Sequence, residues 1–112
     1  VPVIWHSDGK MDKLLPFAVE AGFAGVHGLE TLSGNKLDEV KAQYGNKLIL
    51  IGNVDINLFF EPNLDLIRAD VKRSYEQGGT SGYMISSCNS IYPGMNPEAL
   101  REYFRCQGGI DD

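Results

Sequence analysis

Short apolar, β-prone runs alternate along this chain with longer stretches in which apolar residues return every three or four positions. The first run is Val1 to Trp5. Lys10 to Ala21 follows, with Met11, Leu14, Leu15, Ala18 and Val19 at helical spacing and Gly22 as a natural stop. Pro16 inside that pattern leaves open either a kink or a later helix start. Phe23 to His27 reads as a second strand and Gly28 to Gly34 as a loop. Asn35 is expected to cap a second helix, with Asp38 accepting from its free amides. Leu37, Val40 and Ala42 mark the inner side of that helix, and Gly45 ends it. Lys47 to Ile51 is a continuous rather than alternating run, as in a strand buried on both faces.

Asn53 to Asn63 reads as a longer loop containing Phe59 and Phe60. Leu64 to Gln77 predicts a third helix, with Leu64, Ile67, Val71 and Tyr75 in line and Gly78-Gly79 as its stop. Gly82 to Ser87 is the fourth strand. Asn96-Pro97-Glu98 supplies a cap, a first-turn proline and an early acid for a fourth helix reaching about Cys106. Gly108, Gly109 and an acidic end finish the chain.

The result is an α/β chain of four consecutive βα units, which implies a parallel sheet. The four units fit either a small open sheet or half of a TIM (βα)8 barrel, a fold that typically needs about 250 residues. At 112 residues the chain is one domain spanning 1–112. The half-barrel reading makes it part of a longer barrel, and the opening directly in a strand without Met agrees with that. A half barrel leaves two strand edges and one apolar face bare. Its expected partner is therefore an N-terminal half barrel or a second copy of itself in a homodimer.

Composition narrows the function classes. The net charge is −5, so no basic stripe exists to bind nucleic acid or anionic lipid. No apolar run approaches the about 20 residues of a membrane helix. The start has no basic segment or long apolar segment of an export signal, so a cytoplasmic location is expected, with Cys88 and Cys106 as reduced thiols.

Working residues in parallel α/β folds lie at the carboxyl ends of the strands. Here those ends read His6-Ser7-Asp8-Gly9, His27-Gly28-Leu29-Glu30, Gly52-Asn53-Val54-Asp55 and Ser86-Ser87-Cys88-Asn89-Ser90. His6 and Asp8, two apart, are either a polar pair facing a cleft or a helix cap beside a partly buried ring. His27 and Glu30 read as an acid/base pair or as a solvated loop. Asn53 and Asp55 either reach a ligand or shape the loop as an Asx turn. Cys88 is read as a small buried hydrophobe. The chain has no CxxC, HExxH, GxGxxG, GxxxxGK[ST] or GxSxG motif, so thiolate zinc, nucleotide and serine-hydrolase chemistries have no support in it.

Four segments in order, "VPVIWHSDG", "EAGFAGVHGLE", "YGNKLILIGNVD" and "IYPGMNPEALREYF", resemble the C-terminal half of the uroporphyrinogen decarboxylase (URO-D) superfamily. The resemblance runs from Val1 to about Gln107 and implies the last four units of a (βα)8 barrel. It implies a carbon–carbon lyase acting on a tetrapyrrole: removal of the acetate carboxyl groups of uroporphyrinogen in porphyrin biosynthesis, with no cofactor. The same superfamily contains zinc methyltransferases acting on corrinoid-linked methyl groups. A third possibility is a half-barrel module without turnover that dimerises.

The resemblance carries over unevenly. The decarboxylases have a histidine three positions before their "YP", where this chain has Asn89. Asparagine hydrogen-bonds a carboxylate or pyrrole edge but carries no proton. The methyltransferases have His-x-Cys-Gly where this chain has His6-Ser7-Asp8-Gly9, and their second cysteine also falls at Asn89. Cys88 is one residue away, which on a strand is the opposite face. The substrate-gripping arginines and central aspartate of the decarboxylases belong to the N-terminal half, so this stretch alone is expected to be inactive. The expected cleft residues are His6, Asp8, Glu30, Asn53, Asp55 and Asn89. No metal is expected, with His6, Asp8 and Glu30 the only ligand set on offer. Arg68, Arg73, Arg101 and Arg105 fall on predicted helices, away from the strand ends.

Overall fold

A computed structural model describes residues 1–108; the acidic end of the chain lies outside them. The strands are β1 (Ile4–Ser7), β2 (Gly25–Gly28), β3 (Ile49–Gly52) and β4 (Tyr83–Met84). The helices are α1 (Leu15–Glu20), α2 (Leu37–Tyr44), α3 (Leu64–Gly78) and α4 (Pro97–Gln107), with a short 3-10 helix at Ile56–Phe60. The strands form one parallel sheet in the order β1-β2-β3-β4. This is the alternating βα half barrel, with each strand beside the next one in sequence.

Parallel register sorts the strand residues into two rows. Trp5, Val26, Leu50 and Tyr83 are partners across the sheet. They face the helices, packing with Met11, Leu15, Ala18, Leu37, Val40 and Leu48 in the first core cluster. Neighbouring positions point the other way. That opposite row joins His6, His27, Ile51 and Met84, flanked by Ile4 and Ile49. Among the described residues no helix covers it: Ile4 is 41% exposed, Ile49 39% and Met84 58%. β3 is shorter than Lys47 to Ile51 at its start, and the run Leu48 to Ile51 is apolar on both sides but buried on only one, its second face being open in this half of the ring.

A second core cluster lies under α3 and α4, where Val54, Phe59, Ile67, Val71, Cys88, Met95, Ala99 and Tyr103 are buried together. Phe59 and Tyr103 meet ring to ring at 5.1 Å. Phe59 is fully buried because the expected loop contains the 3-10 turn, which directs it inward and leaves Phe60 42% exposed.

Several local expectations shift. α1 starts only at Leu15, placing Pro16 in the first turn, where its missing N–H costs nothing. Asn35 does not cap α2; Lys36 holds the cap position without a side-chain bond. Asn35 is instead buried, accepting from the Met11 amide at 3.0 Å and donating to the carbonyls of Gly9 and Glu30. It ties the loops after β1 and β2 together. Asp38 accepts from one amide in the first turn, that of Glu39. β4 is shorter than Gly82 to Ser87, and pairing resumes only as a single bridge between Val54 and Ser87. Asn63 and Asn96 cap α3 and α4 as side-chain acceptors.

α3 and α4 are joined by a charge cluster. Buried Glu102 accepts from Arg68 at 2.7 Å and from Arg105 of its own helix. These guanidinium groups, Arg105 foremost, hold the Glu102 carboxyl at about 2, below its ordinary 4.5. A carboxyl that ionises more readily in the folded chain stabilises the fold fully above its unfolded value. That contribution is lost as pH falls from about 4.5 through about 2. Urea midpoints measured across this window should therefore fall with pH. Glu102→Gln should lower the midpoint at pH 7 and flatten the acid decline; an unchanged slope would remove Glu102 as its source.

Candidate functional site

The carboxyl ends of β1 and β2 lie side by side, and their register sets His6 opposite His27. The two Nδ1 atoms are 2.8 Å apart, with rings stacked at 4.8 Å between centroids. Two residues beyond His6, Asp8 turns back to place Oδ1 at 2.9 Å from His6 Nε2. Asp8 is 63% exposed, so its carboxylate is open to a ligand. Asp8 bonds the imidazole and does not cap α1, which has no side-chain cap.

His27 faces inward along the sheet. Its Nε2 lies 3.1 Å from the Ser87 carbonyl and 3.2 Å from Ser86 Oγ. The break in β4 makes this possible, since residues 85 and 86 leave the ladder before pairing resumes at Ser87. The chain after β2 turns sharply. Gly28 takes φ 118, and a Cβ there would meet the Ser7 carbonyl at 2.4 Å. Leu29 follows at φ 53 with its side chain fully buried, a left-handed conformation unusual for leucine. This turn carries Glu30 back over the strand ends. Glu30 accepts from Ser33 Oγ at 2.6 Å and from Asn89 Nδ2 at 3.3 Å.

The structure thus gathers two polar groups at one end of the sheet: Asp8–His6–His27 with the 86–87 segment, and Glu30–Asn89 with Ser33. His27 and Glu30 do not bond each other; each has a separate partner. Asn53 is fully buried and committed elsewhere. It donates to the Leu29 carbonyl at 2.9 Å and accepts from Arg73 at 3.0 Å. Asp55 caps the 3-10 helix through the Asn57 amide, and its own amide donates to Asp70. That is the Asx-turn alternative.

His6, Asp8 and Glu30 do not come together as ligands, because Glu30 is held by Ser33 and Asn89. Among the described residues no group of three or more His, Cys, Asp or Glu is arranged to hold a metal ion. Arg73 reaches the end of β3 from the helix side, at Asn53, and the other arginine contacts join helix residues. Arg73 is bound to Asp70, Asn53 and Gln77, Arg68 to Asp65 and Glu102, and Arg101 to Glu98.

Sequence reasoning left three participants out of the cleft: His27, Ser86 and Ser87. The sequence carried no signal that His27 meets His6, since each histidine becomes the third residue of its strand only in the observed bounds, and it is the register that brings them together. The signal for Ser86 and Ser87 was absent, because nothing local marks a strand that stops after two residues.

Cys88 sits on the helix side of this end, fully buried among Val54, Phe59 and Tyr103. Burial pushes its thiol up from the ordinary value. Reaction with a colourless aromatic disulfide at pH 8 should label Cys88 only on unfolding, Cys106 serving as the second, less buried thiol. Prompt labelling of Cys88 in the native protein would place it in the cleft instead of the core.

Among the described residues no helix is long and apolar enough to cross a membrane. The uroporphyrinogen decarboxylase (URO-D) family model matches residues 1–107. The chain therefore belongs to the URO-D family, and the half barrel is part of a TIM-barrel fold. No curated protein matches the chain.

Proposed function

We propose that this URO-D family chain forms one side of the cleft of a tetrapyrrole decarboxylase, acting on the acetate side chains of a porphyrinogen. The observation that carries this reading is the exposed Asp8–His6 pair at the strand ends, backed by His27. Decarboxylation of a pyrrole acetate needs a proton delivered to a ring carbon. The ring then becomes a cation, and the carbon–carbon electron pair flows into it as carbon dioxide leaves. A second proton completes the methyl group, and the ring proton is returned. A carboxylate–imidazole pair performs such transfers, and Asp8 and Glu30 place negative charge beside a developing cation.

The grips for the substrate's carboxylates come from outside these residues, because Arg68, Arg73 and Arg101 are tied to Glu102, Asn53 and Glu98. The rest of the ring supplies them. β1 and β4 are free edges of the sheet, and the Ile4, Ile49 and Met84 face lies bare; four further βα units would cover all three.

The direct test is anaerobic incubation of the intact protein with uroporphyrinogen, followed by chromatography of the oxidised products. Stepwise loss of carboxyl groups is expected. Asp8→Asn and His6→Gln should each lower turnover on the order of 10²-fold or more. Binding of the porphyrinogen without loss of carbon dioxide would overturn the reading. Zinc-dependent methyl transfer from a methyl-corrinoid to a thiol would replace it with the methyltransferase alternative.

A further inference from the structure

The segment Gly52-Asn53-Val54-Asp55 gives its polar side chains to the scaffold, yet it touches the cleft through the backbone. Gly28 and Gly52 are register partners at the ends of β2 and β3. A Cβ on Gly52, at φ 141, would meet the Gly28 carbonyl at 2.6 Å, so glycine lets the two chains lie this close. Asn53 and Leu29, one residue further on, are therefore neighbours, and Asn53 Nδ2 donates to the Leu29 carbonyl at 2.9 Å. On its other side Asn53 is gripped from α3. Arg73 donates to its Oδ1 at 3.0 Å and to its backbone carbonyl at 3.2 Å. A guanidinium only donates and a carbonyl only accepts, so the Asn53 amide has one orientation between them. Arg73 is itself held by Asp70 at 2.7 Å, and the second Asp70 oxygen accepts from the Asp55 amide at 2.8 Å. One ion pair of α3 thus docks both Asn53 and Asp55.

We propose that Asn53, held by the Asp70–Arg73 pair, is a positioning residue for Glu30: it fixes the left-handed turn at Leu29 that carries the Glu30 carboxylate over the strand ends. Leu29 sits at φ 53, a conformation that leucine keeps only where its surroundings impose it. Two contacts impose it here. The Leu29 side chain is fully buried, and its carbonyl is tied by Asn53. The first anchors the residue; the second sets the direction of the peptide that leads into Glu30. Asn35 holds the peptide on the far side of Glu30, donating to its carbonyl at 2.9 Å. Glu30 is therefore clamped between two buried amides, and together they aim its side chain at Ser33 and Asn89. Without the Asn53 donor the Leu29–Glu30 peptide is free to rotate, and the carboxylate leaves those partners.

The line from α3 to the cleft thus runs through Asp70, Arg73, Asn53, the Leu29 backbone and Glu30. No group in it has to change its charge. It also gives α3, on the outer side of the sheet, a direct hold on a carboxylate of the inner side. The effect of Glu30 on a developing cation rests on the function proposed above; the placement of Glu30 by Asn53 does not.

The test is NMR of the intact protein, read at the side-chain amide of Asn89, whose Nδ2 donates to Glu30 at 3.3 Å. The signal is assigned from Asn89→Asp, and Glu30→Ala gives its position once the contact is gone. Asn53→Asp keeps an acceptor for Arg73 and removes the donor to Leu29. It should move the Asn89 signal most of the way to its Glu30→Ala position. With uroporphyrinogen, Asn53→Asp should lower kcat on the order of tenfold with KM little changed. Added to Glu30→Ala it should lower kcat little further, because both changes take the same carboxylate from the cleft. An Asn89 signal indifferent to Asn53→Asp, or losses in kcat that multiply in the double variant, would overturn the positioning role. If Asn53→Asp fails to fold, Arg73→Lys decides: lysine cannot span both Asn53 oxygens, and the Asn89 signal should move in the same direction. No movement there would overturn the role equally. A moved signal in a protein that does not decarboxylate porphyrinogens would overturn the proposed substrate alone.

Discussion

Parallel register across β1, β2 and β3 is the constraint on which everything else depends. It places Trp5, Val26 and Leu50 in one row and His6, His27 and Ile51 in the other. The first row is buried against α1 and α2; the second faces the interior of the ring. A slip of one residue would exchange the rows, placing both imidazoles in the apolar core and Val26 and Leu50 in the open. Burial of Val26 and Leu50 at 0% exposure therefore also fixes the histidine pair. Core packing and site geometry are two sides of one register.

The polar residues divide by the same logic. Those on the ring side bond to one another and leave an exposed end at Asp8. Those on the helix side bond to the scaffold. Asn35 joins two loops, Asn53 joins the turn after β2 to Arg73 of α3, and Glu102 joins α3 to α4. Each satisfies buried groups whose loss would cost roughly 1–3 kcal/mol. Arg68, Arg73 and Arg105 are spent on this scaffold.

Much of this was legible in the sequence. The alternation of short apolar runs with 3.6-period stretches predicts all four βα units, and glycine or asparagine marks the caps of α3 and α4. The pairing of His6 with Asp8 follows from their spacing. Three features were not legible. Asn35 fits a cap by local chemistry, but a buried position between two loops satisfies its whole amide, and tertiary contact wins. Asn53 sits at a strand end like the cleft residues, yet its buried amide is taken up by Leu29 and Arg73. His27 joins His6 only through register, a long-range relation that no local pattern carries. Family resemblance points to the strand ends without resolving these roles, since neither the cysteines nor the histidine of its relatives stands at Asp8 or Asn89.

That the histidine row faces the inside of a closed ring is the claim on which site and mechanism both rest. Met84 belongs to that row and is 58% exposed on this half alone, whereas Met11 and Met95 are buried in the core at 0% and 6%. Mild peroxide oxidation of the intact native protein, read by mass spectrometry at each methionine, tests it directly. A closed ring protects Met84 as well as Met11 and Met95, and all three oxidise only on unfolding. Rapid, selective oxidation of Met84 in fully folded protein would show the face open to water and contradict the barrel interior.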